Sequence, residues 1–212
     1  MKKILRKITP EPIWNIIKMA YFKFVGRFYN PGETTKAKKR RIKEGFFSSY
    51  CKGKGLDIGY GGDLLSKNCK GWDFEDGDAQ YLKGLKNLTF DFVYSSHTLE
   101  HLRNPRVSIK NWWRVLKPGG YLILYLPHRD LYEKKKTLPS RWNQDHKHFF
   151  LLYEDDPPDT ISIIHLIKKT LSNYKIVYAK ECREGHTIKD PKTHSDGEYS
   201  IEVIVQKKEC YQ

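Results

Sequence analysis

Apolar positions recur along this chain with two different periods, and the change from one to the other falls near residue 54. In "IWNIIKMAYFKFVGRFY", Ile13, Ile16, Ile17, Ala20, Tyr21, Phe24 and Phe28 keep helical spacing while Lys18, Lys23 and Arg27 take the other faces. That pattern predicts an amphipathic helix. "NPGE" at 30–33 breaks it, and "TTKAKKRRIKEGFFSSY" reads as a second helix leading into the first strand. From residue 54 short apolar stretches alternate with helical ones: "KGLDIG", "GWDF", "FDFVYSS", a helix across "NPRVSIKNWWRVLKPGG", and the strand "YLILYLP". Such alternation predicts a parallel sheet covered on both faces. "TISIIHLIKKTLSNY" then reads as a helix, and "YKIVYAKE" and "EYSIEVIVQKK" as alternating strands of an antiparallel hairpin joined by a polar loop at 182–198.

A length of 212 residues suits one domain with appendages. The division expected is a basic helical extension or lid over 1–50 and the main domain over 51–212. The net charge of +14 first suggests a nucleic-acid partner, yet residues 1–45 hold 13 Lys or Arg against three Glu. Residues 1–45 therefore carry a net +10 of the +14, and the rest of the chain carries only +4. No window approaches eighteen consecutive apolar positions, which argues against a spanning helix. The start "MKKILRKITPEPIW" does not fit a secretory signal. Cys51, Cys69, Cys182 and Cys210 are widely spaced, as in a reducing compartment. A cytoplasmic location is expected, with peripheral membrane contact through the basic amphipathic helix as the alternative to a lid.

The first strand ends in "LDIGYGG", with Asp57 two residues before Gly59 and a second pair at Gly61 and Gly62. In an open α/β sheet, ligands settle at the carboxyl ends of the strands, and the first turn is where a nucleotide-like group comes nearest the backbone. The spacing is GxGG rather than the dinucleotide GxGxxG. A carboxylate beside pyrophosphate would repel it, whereas a carboxylate favours an ammonium or sulfonium group.

Four segments, in order, resemble those of the class I S-adenosylmethionine-dependent methyltransferases, in particular the small-molecule methyltransferase-domain branch: "LDIGYGG", "GWDF", "GDAQ", and "FDFVYSSHTLEHLRNP" followed by "WWRVLKPGGYLILYLP". The resemblance covers residues 53 to about 127. It implies a Rossmann-like, mostly parallel sheet with an antiparallel C-terminal hairpin strand, and S-adenosylmethionine as cofactor. It further implies that Asp57, Gly59, Gly61 and Gly62 hold the methionine part, Asp73 the ribose hydroxyls, and Asp78 and Ala79 the adenine. Ser95, Ser96 and His97 would lie near the methyl group.

Two departures stand out. Asp63 replaces the usual third glycine, facing either the cofactor or the N-terminus of a following helix. Only four residues separate Asp73 from Asp78, too few for a parallel crossover. The helix after the second strand is therefore expected to be missing, and the third strand absent or reduced.

Methyl transfer needs an acceptor in line with the methyl carbon and, for a hydroxyl, a base. Glu100 and His101 follow His97 by one turn. Pro127, His128, Arg129, Asp130 and Tyr132 follow the fifth strand. "LPSRWNQDHKHFF", with Arg141, Trp142, Asn143, Asp145, His146 and His148, reads as an acceptor wall. His128 or His146 is the expected base. Arg129 and Arg141 suit a carboxylate or phosphate. His146 and His148 beside Asp145 lack an obvious third ligand, so no metal is expected. The acceptor expected is a small polar, anionic molecule or a sugar, as in O-methylation of a glycan intermediate in polysaccharide biosynthesis. An RNA methyltransferase gripping phosphates with the basic N-terminus ranks second, because no RNA-binding module is visible. A non-catalytic binding protein ranks third. Nothing in the sequence fixes the oligomeric state.

Overall fold

The computed structural model describes residues 32–209, so the helix expected over 13–29 lies outside the described residues. The described residues form eight strands: β1 (Gly55–Ile58), β2 (Cys69–Trp72), β3 (Phe90–Ser96), β4 (Leu116–Pro127), β5 (Phe149–Leu151), β6 (Thr160–Ser162), β7 (Tyr174–Cys182) and β8 (Ser200–Lys207). The α-helices among the described residues are α1 (Glu33–Lys43), α2 (Phe46–Tyr50), α3 (Pro105–Val115) and α4 (Ile163–Thr170), and Arg129–Glu133 forms a single π-helical turn. Six strands form one sheet in the order β2-β1-β3-β4-β8-β7. The first four run parallel, and β8 is antiparallel to both β4 and β7, which gives the C-terminal hairpin expected from the alternating pattern.

Alternate residues of the central strands feed two cores, as the pleat requires when both faces are covered. Leu56, Ile58, Val93, Leu122, Leu124 and Val203 pack toward Ile109, Trp112 and Val115 of α3 and Ile163, Ile164 and Ile167 of α4. Phe92, Tyr94, Ile123, Tyr125 and Ile204 pack on the opposite face, with Ala37 of α1 and Phe46 of α2. This second core contains charge. Arg41 is fully buried, its Nη2 2.6 Å from Glu202 Oε1 and its Nη1 3.0 Å from the Tyr94 hydroxyl. Arg40 reaches both Glu198 and Glu202, at 2.8 and 2.9 Å. Tyr125 donates its hydroxyl to Glu198.

Three local expectations change. The second N-terminal helix is two helices, broken at Gly45, whose φ of +64° suits a residue without Cβ. The segment 160–174 starts as β6, paired in parallel with β5, and becomes helical only at Ile163. Ser162 marks the boundary, its hydroxyl capping α4 by accepting from His165 N. The third change concerns the glycine turn: turns alone connect β1 to β2, with no helix. Asp63 instead accepts from Thr35 N and Thr35 Oγ1, at 2.9 and 2.6 Å, and so caps the preceding helix α1. After β2 a single 3₁₀ turn (Phe74–Asp76) replaces the crossover helix, and no strand occurs before β3. That agrees with the short spacing between Asp73 and Asp78. Among the described residues no helix is long and apolar enough to cross a membrane.

Candidate functional site

The carboxyl ends of β1, β2 and β3 open onto a cavity of about 750 Å³. Its floor is the glycine turn. Gly59 N donates to Trp72 O at 2.8 Å, and a Cβ on Gly59 would lie 2.0 Å from Thr98 Oγ1, so this glycine is required by packing between β1 and the end of β3. Gly61 and Gly62 are different. Their φ angles are +54° and +87°, and a Cβ on either would meet nothing within 4 Å. Gly61 lines the cavity directly.

Asp73 joins the turn to the end of β2. Its carboxylate accepts from Gly61 N at 3.0 Å and from Phe74 N at 2.9 Å, while Asp76 accepts from Asp73 N in return, a reciprocal cap of the 3₁₀ turn. Asp78, Ala79, Gly77, Trp72, Phe74 and Leu102 line the neighbouring wall. Phe74 is 95% exposed, an aromatic ring with no protein surface to cover it. Asp78 and Ala79 are held from behind: Asp78 accepts from Gln80 N, and Ala79 O accepts from the buried Trp112 Nε1 at 2.8 Å.

Asp57 is 1% exposed and stands one layer beneath this surface. One oxygen accepts from Leu65 N at 2.7 Å, which fixes the far side of the turn, and the other has no hydrogen bond. Burial pushes its pKa up to about 7. Ser95, Ser96 and Gly62 likewise lie outside the cavity lining, whereas Gly59, Gly61, Asp73, Asp78, Ala79 and His97 belong to it.

The opposite wall is formed by histidines. His97 has a φ of +46°, uncommon for a residue with a side chain, and its N–H is tied to Tyr125 O at 2.8 Å. Its Nε2 lies 2.8 Å from Ser200 Oγ, and burial lowers its pKa to about 4. His101 lines the cavity beside Asn143, Asp145 and Lys147, and its Nδ1 lies 3.0 Å from Asp145 Oδ2. His146 is buried behind it, with Nδ1 2.6 Å from Glu133 Oε1 and its ring edge-on to His101 at 4.7 Å. Between these three rings lies Glu100, fully buried, with neither carboxylate oxygen hydrogen-bonded. Burial raises its pKa to about 7. Glu100, His101 and His146 together have the ligand types and spacing of a metal site, a grouping 46 residues apart in sequence that the His146–His148 spacing did not disclose.

Other residues expected to touch the acceptor are elsewhere. His128 Nδ1 accepts from Asp130 N and its Nε2 faces Glu181 at 3.1 Å, so both nitrogens are engaged away from the cavity. Arg129 is 5% exposed and pairs with Asp130 and Asp156, which leaves its guanidinium occupied inside the fold. Tyr132 and Trp142 pack with Tyr199 in a small aromatic cluster, and Trp142 Nε1 donates to Tyr132 O. Arg141 lies over the Trp142 ring and outside the cavity lining. His148 Nε2 is 3.4 Å from Arg103 O. From the 138–150 loop, Asn143 and Asp145 reach the cavity, together with Lys147. Trp72, Phe74, Gly77, Thr98, Leu102 and Lys147 also line the cavity and were not among the expected site residues; their only signal in the sequence was adjacency to the motifs and the 138–150 loop.

Residues 42–124 match the model of a family described as the methyltransferase domain. No curated protein matches the chain in sequence at a significant level. Among solved structures, an S-adenosylmethionine-dependent methyltransferase from Thermotoga maritima is 17% identical, covering 98% of this chain and 100% of its own, with a TM-score of 0.50. Another from Archaeoglobus fulgidus is 16% identical over 88% of this chain and 100% of its own, also with a TM-score of 0.50. A protein from echinomycin biosynthesis, in a structure describing conversion of a disulfide bond into a thioacetal group, is 15% identical over 90% of this chain and 93% of its own, with a TM-score of 0.54. At these identities the likeness is one of fold.

Proposed function

We propose that this chain, a class I S-adenosylmethionine-dependent methyltransferase, methylates an oxygen of a small polar acceptor, with a sugar or glycan intermediate as the specific candidate. The observation that supports this reading best is that one cavity has a bare glycine turn and two acids on one side and histidines with polar loop side chains on the other. The residues fit the cofactor. Side chains at Gly61 or Gly62 would project into open space beside the cavity, so only their absence leaves the turn approachable. Asp73 retains acceptor capacity for ribose hydroxyls after its two backbone hydrogen bonds. Trp72, Phe74 and Leu102 offer flat apolar surface for a base.

Held by these residues, S-adenosylmethionine would supply an electrophilic methyl carbon on a positively charged sulfur, and an acceptor hydroxyl would have to give up its proton to a neighbouring side chain. His97 is the proton acceptor in this proposal because it lines the cavity; burial holds its ring neutral and makes it a weak base, one that takes the proton as the new bond forms rather than before it. Asn143, Asp145 and Lys147 suit hydroxyl-rich and partly anionic acceptors, since they combine acceptor, donor and positive charge in one short stretch.

Incubating the full chain with methyl-labelled S-adenosylmethionine and, separately, nucleotide sugars, short glycans, small carboxylates and RNA tests the reading. Label in a carbohydrate or another small polar molecule is expected. Label in RNA alone, or in none of them, would overturn it.

A further inference from the structure

A buried carboxylate without a hydrogen bond is costly unless something else satisfies it. Glu100 is 0% exposed, and both of its oxygens lack a hydrogen-bond partner. Around Oε1 stand His101 Nε2 at 3.8 Å, His146 Nε2 at 3.9 Å and His97 Nδ1 at 4.0 Å. These distances are too long for hydrogen bonds.

The far nitrogens of two of these rings are not free. His101 Nδ1 meets the Asp145 carboxylate at 3.0 Å, and His146 Nδ1 meets Glu133 at 2.6 Å. Glu133 is itself 1% exposed and held by Ser140 Oγ at 2.7 Å. An ionised carboxylate only accepts, so each Nδ1 carries a proton, and in the neutral imidazole the Nε2 lone pair then faces Glu100. Carboxylate, histidine, then metal is the arrangement by which proteins orient metal-binding imidazoles.

We propose that Glu100, His101 and His146 bind a divalent transition-metal ion of borderline softness, Zn²⁺ being the best match to two imidazoles and one carboxylate. Their ligand atoms all lie within 4.8 Å of one another. Tetrahedral ligands sit roughly 3.4 Å apart when each bond is about 2.1 Å, so occupancy draws the three side chains inward by less than about 1 Å. Three protein ligands leave a fourth position, and His101 lies on the cavity wall, so that position opens toward the acceptor. There it takes an oxygen or nitrogen donor of the acceptor molecule. The ion site stands on these side chains alone; only its use in acceptor binding rests on the methyl transfer proposed above.

The test uses tag-free, chelator-stripped full chain, titrated with Zn²⁺ by calorimetry and with Co²⁺ by visible absorption. One equivalent is expected to bind saturably, without the near-ultraviolet bands of thiolate ligation. Glu100→Gln, which keeps the shape of the side chain, and His146→Gln should each weaken binding at least 10-fold. Glu133→Gln should weaken it by about 10–100-fold through loss of imidazole orientation. His165→Gln, away from this cluster and paired with Asp155, should leave it unchanged. No saturable uptake by the parent chain, thiolate bands, or uptake unaffected by Glu100→Gln and His146→Gln in folded protein would overturn the site. Adenosylhomocysteine calorimetry on the stripped chain separates the two readings: heat with adenosylhomocysteine but none with Zn²⁺ removes the ion and leaves the methyltransferase.

Discussion

Glu202 and Glu100 are the same side chain at the same burial, each with no exposed surface, yet their surroundings are opposite. Glu202 sits under α1 with Arg40, Arg41 and Tyr178 on its oxygens. Burial alone would raise its pKa, but the two guanidinium groups prevail and hold it at about 2. Glu100 faces three histidines at 3.8–4.0 Å, has no hydrogen bond, and is raised to about 7 by burial. The first is complete within the protein and serves the fold. The second lacks a partner the protein does not itself supply, beside a cavity, and that difference marks where a ligand belongs.

The contrast breaks most directly by mutation. Glu202→Gln should cost about 3–5 kcal/mol in urea unfolding, because it strands the fully buried Arg41. Glu100→Gln should change stability by less than about 1 kcal/mol, there being no hydrogen bond to lose. Equal losses would erase the distinction. The pH dependence has a definite sign: the folded pKa of Glu202 is depressed, so its contribution is complete above the ordinary value of 4.5 and disappears as pH falls through about 2. The gap between parent and Glu202→Gln should close over that window.

Asp57 sharpens the comparison from the other side, being buried with only one hydrogen-bonded oxygen. Its folded pKa is raised, so its stabilising effect is present below 3.8 and is lost as pH rises through about 7. Relative to Asp57→Asn, the parent should lose about 2–3 kcal/mol between pH 5 and pH 8 in denaturant midpoints. A constant difference would mean that Asp57 is not held in a dry site. A smaller effect than at Asp57 is expected at Phe74, whose ring supports nothing in the fold: Phe74→Ala should weaken adenosylhomocysteine binding by about 1 kcal/mol, roughly fivefold, and leave stability within about 0.5 kcal/mol.

How much of the molecule is legible in its sequence depends on how local each signal is. The strands β1, β3, β4, β7 and β8 were legible because their apolar runs are bounded by turn residues, and the missing third strand because four residues cannot make a crossover. The helix absent after Gly62 was not legible: Asp63 has the residue type of a cap for a helix on its C-terminal side, and only the folded chain shows it capping α1. In the same way Arg129 and His128 carry the residue types of a binding site, but Asp156 and Glu181, both distant in sequence, already occupy them. The Glu100–His101–His146 grouping depends on the 138–150 loop folding back against the turn after β3, where Lys147 N donates to Glu100 O. Periodicity carries no information about such a return.

The central claim is that the turn at Gly61 is bare in order to admit S-adenosylmethionine, and calorimetric titration of adenosylhomocysteine into Gly61→Leu and Gly84→Leu tests it most directly. Both glycines have positive φ and open space where a Cβ would stand, but only Gly61 lines the cavity. Both variants therefore place a side chain at a positive φ, and Gly84→Leu, at φ +86° against +54°, carries the greater backbone strain of the two. Gly84→Leu is expected to bind like the parent while Gly61→Leu loses binding; equal binding by both, or none by the parent, would contradict the claim.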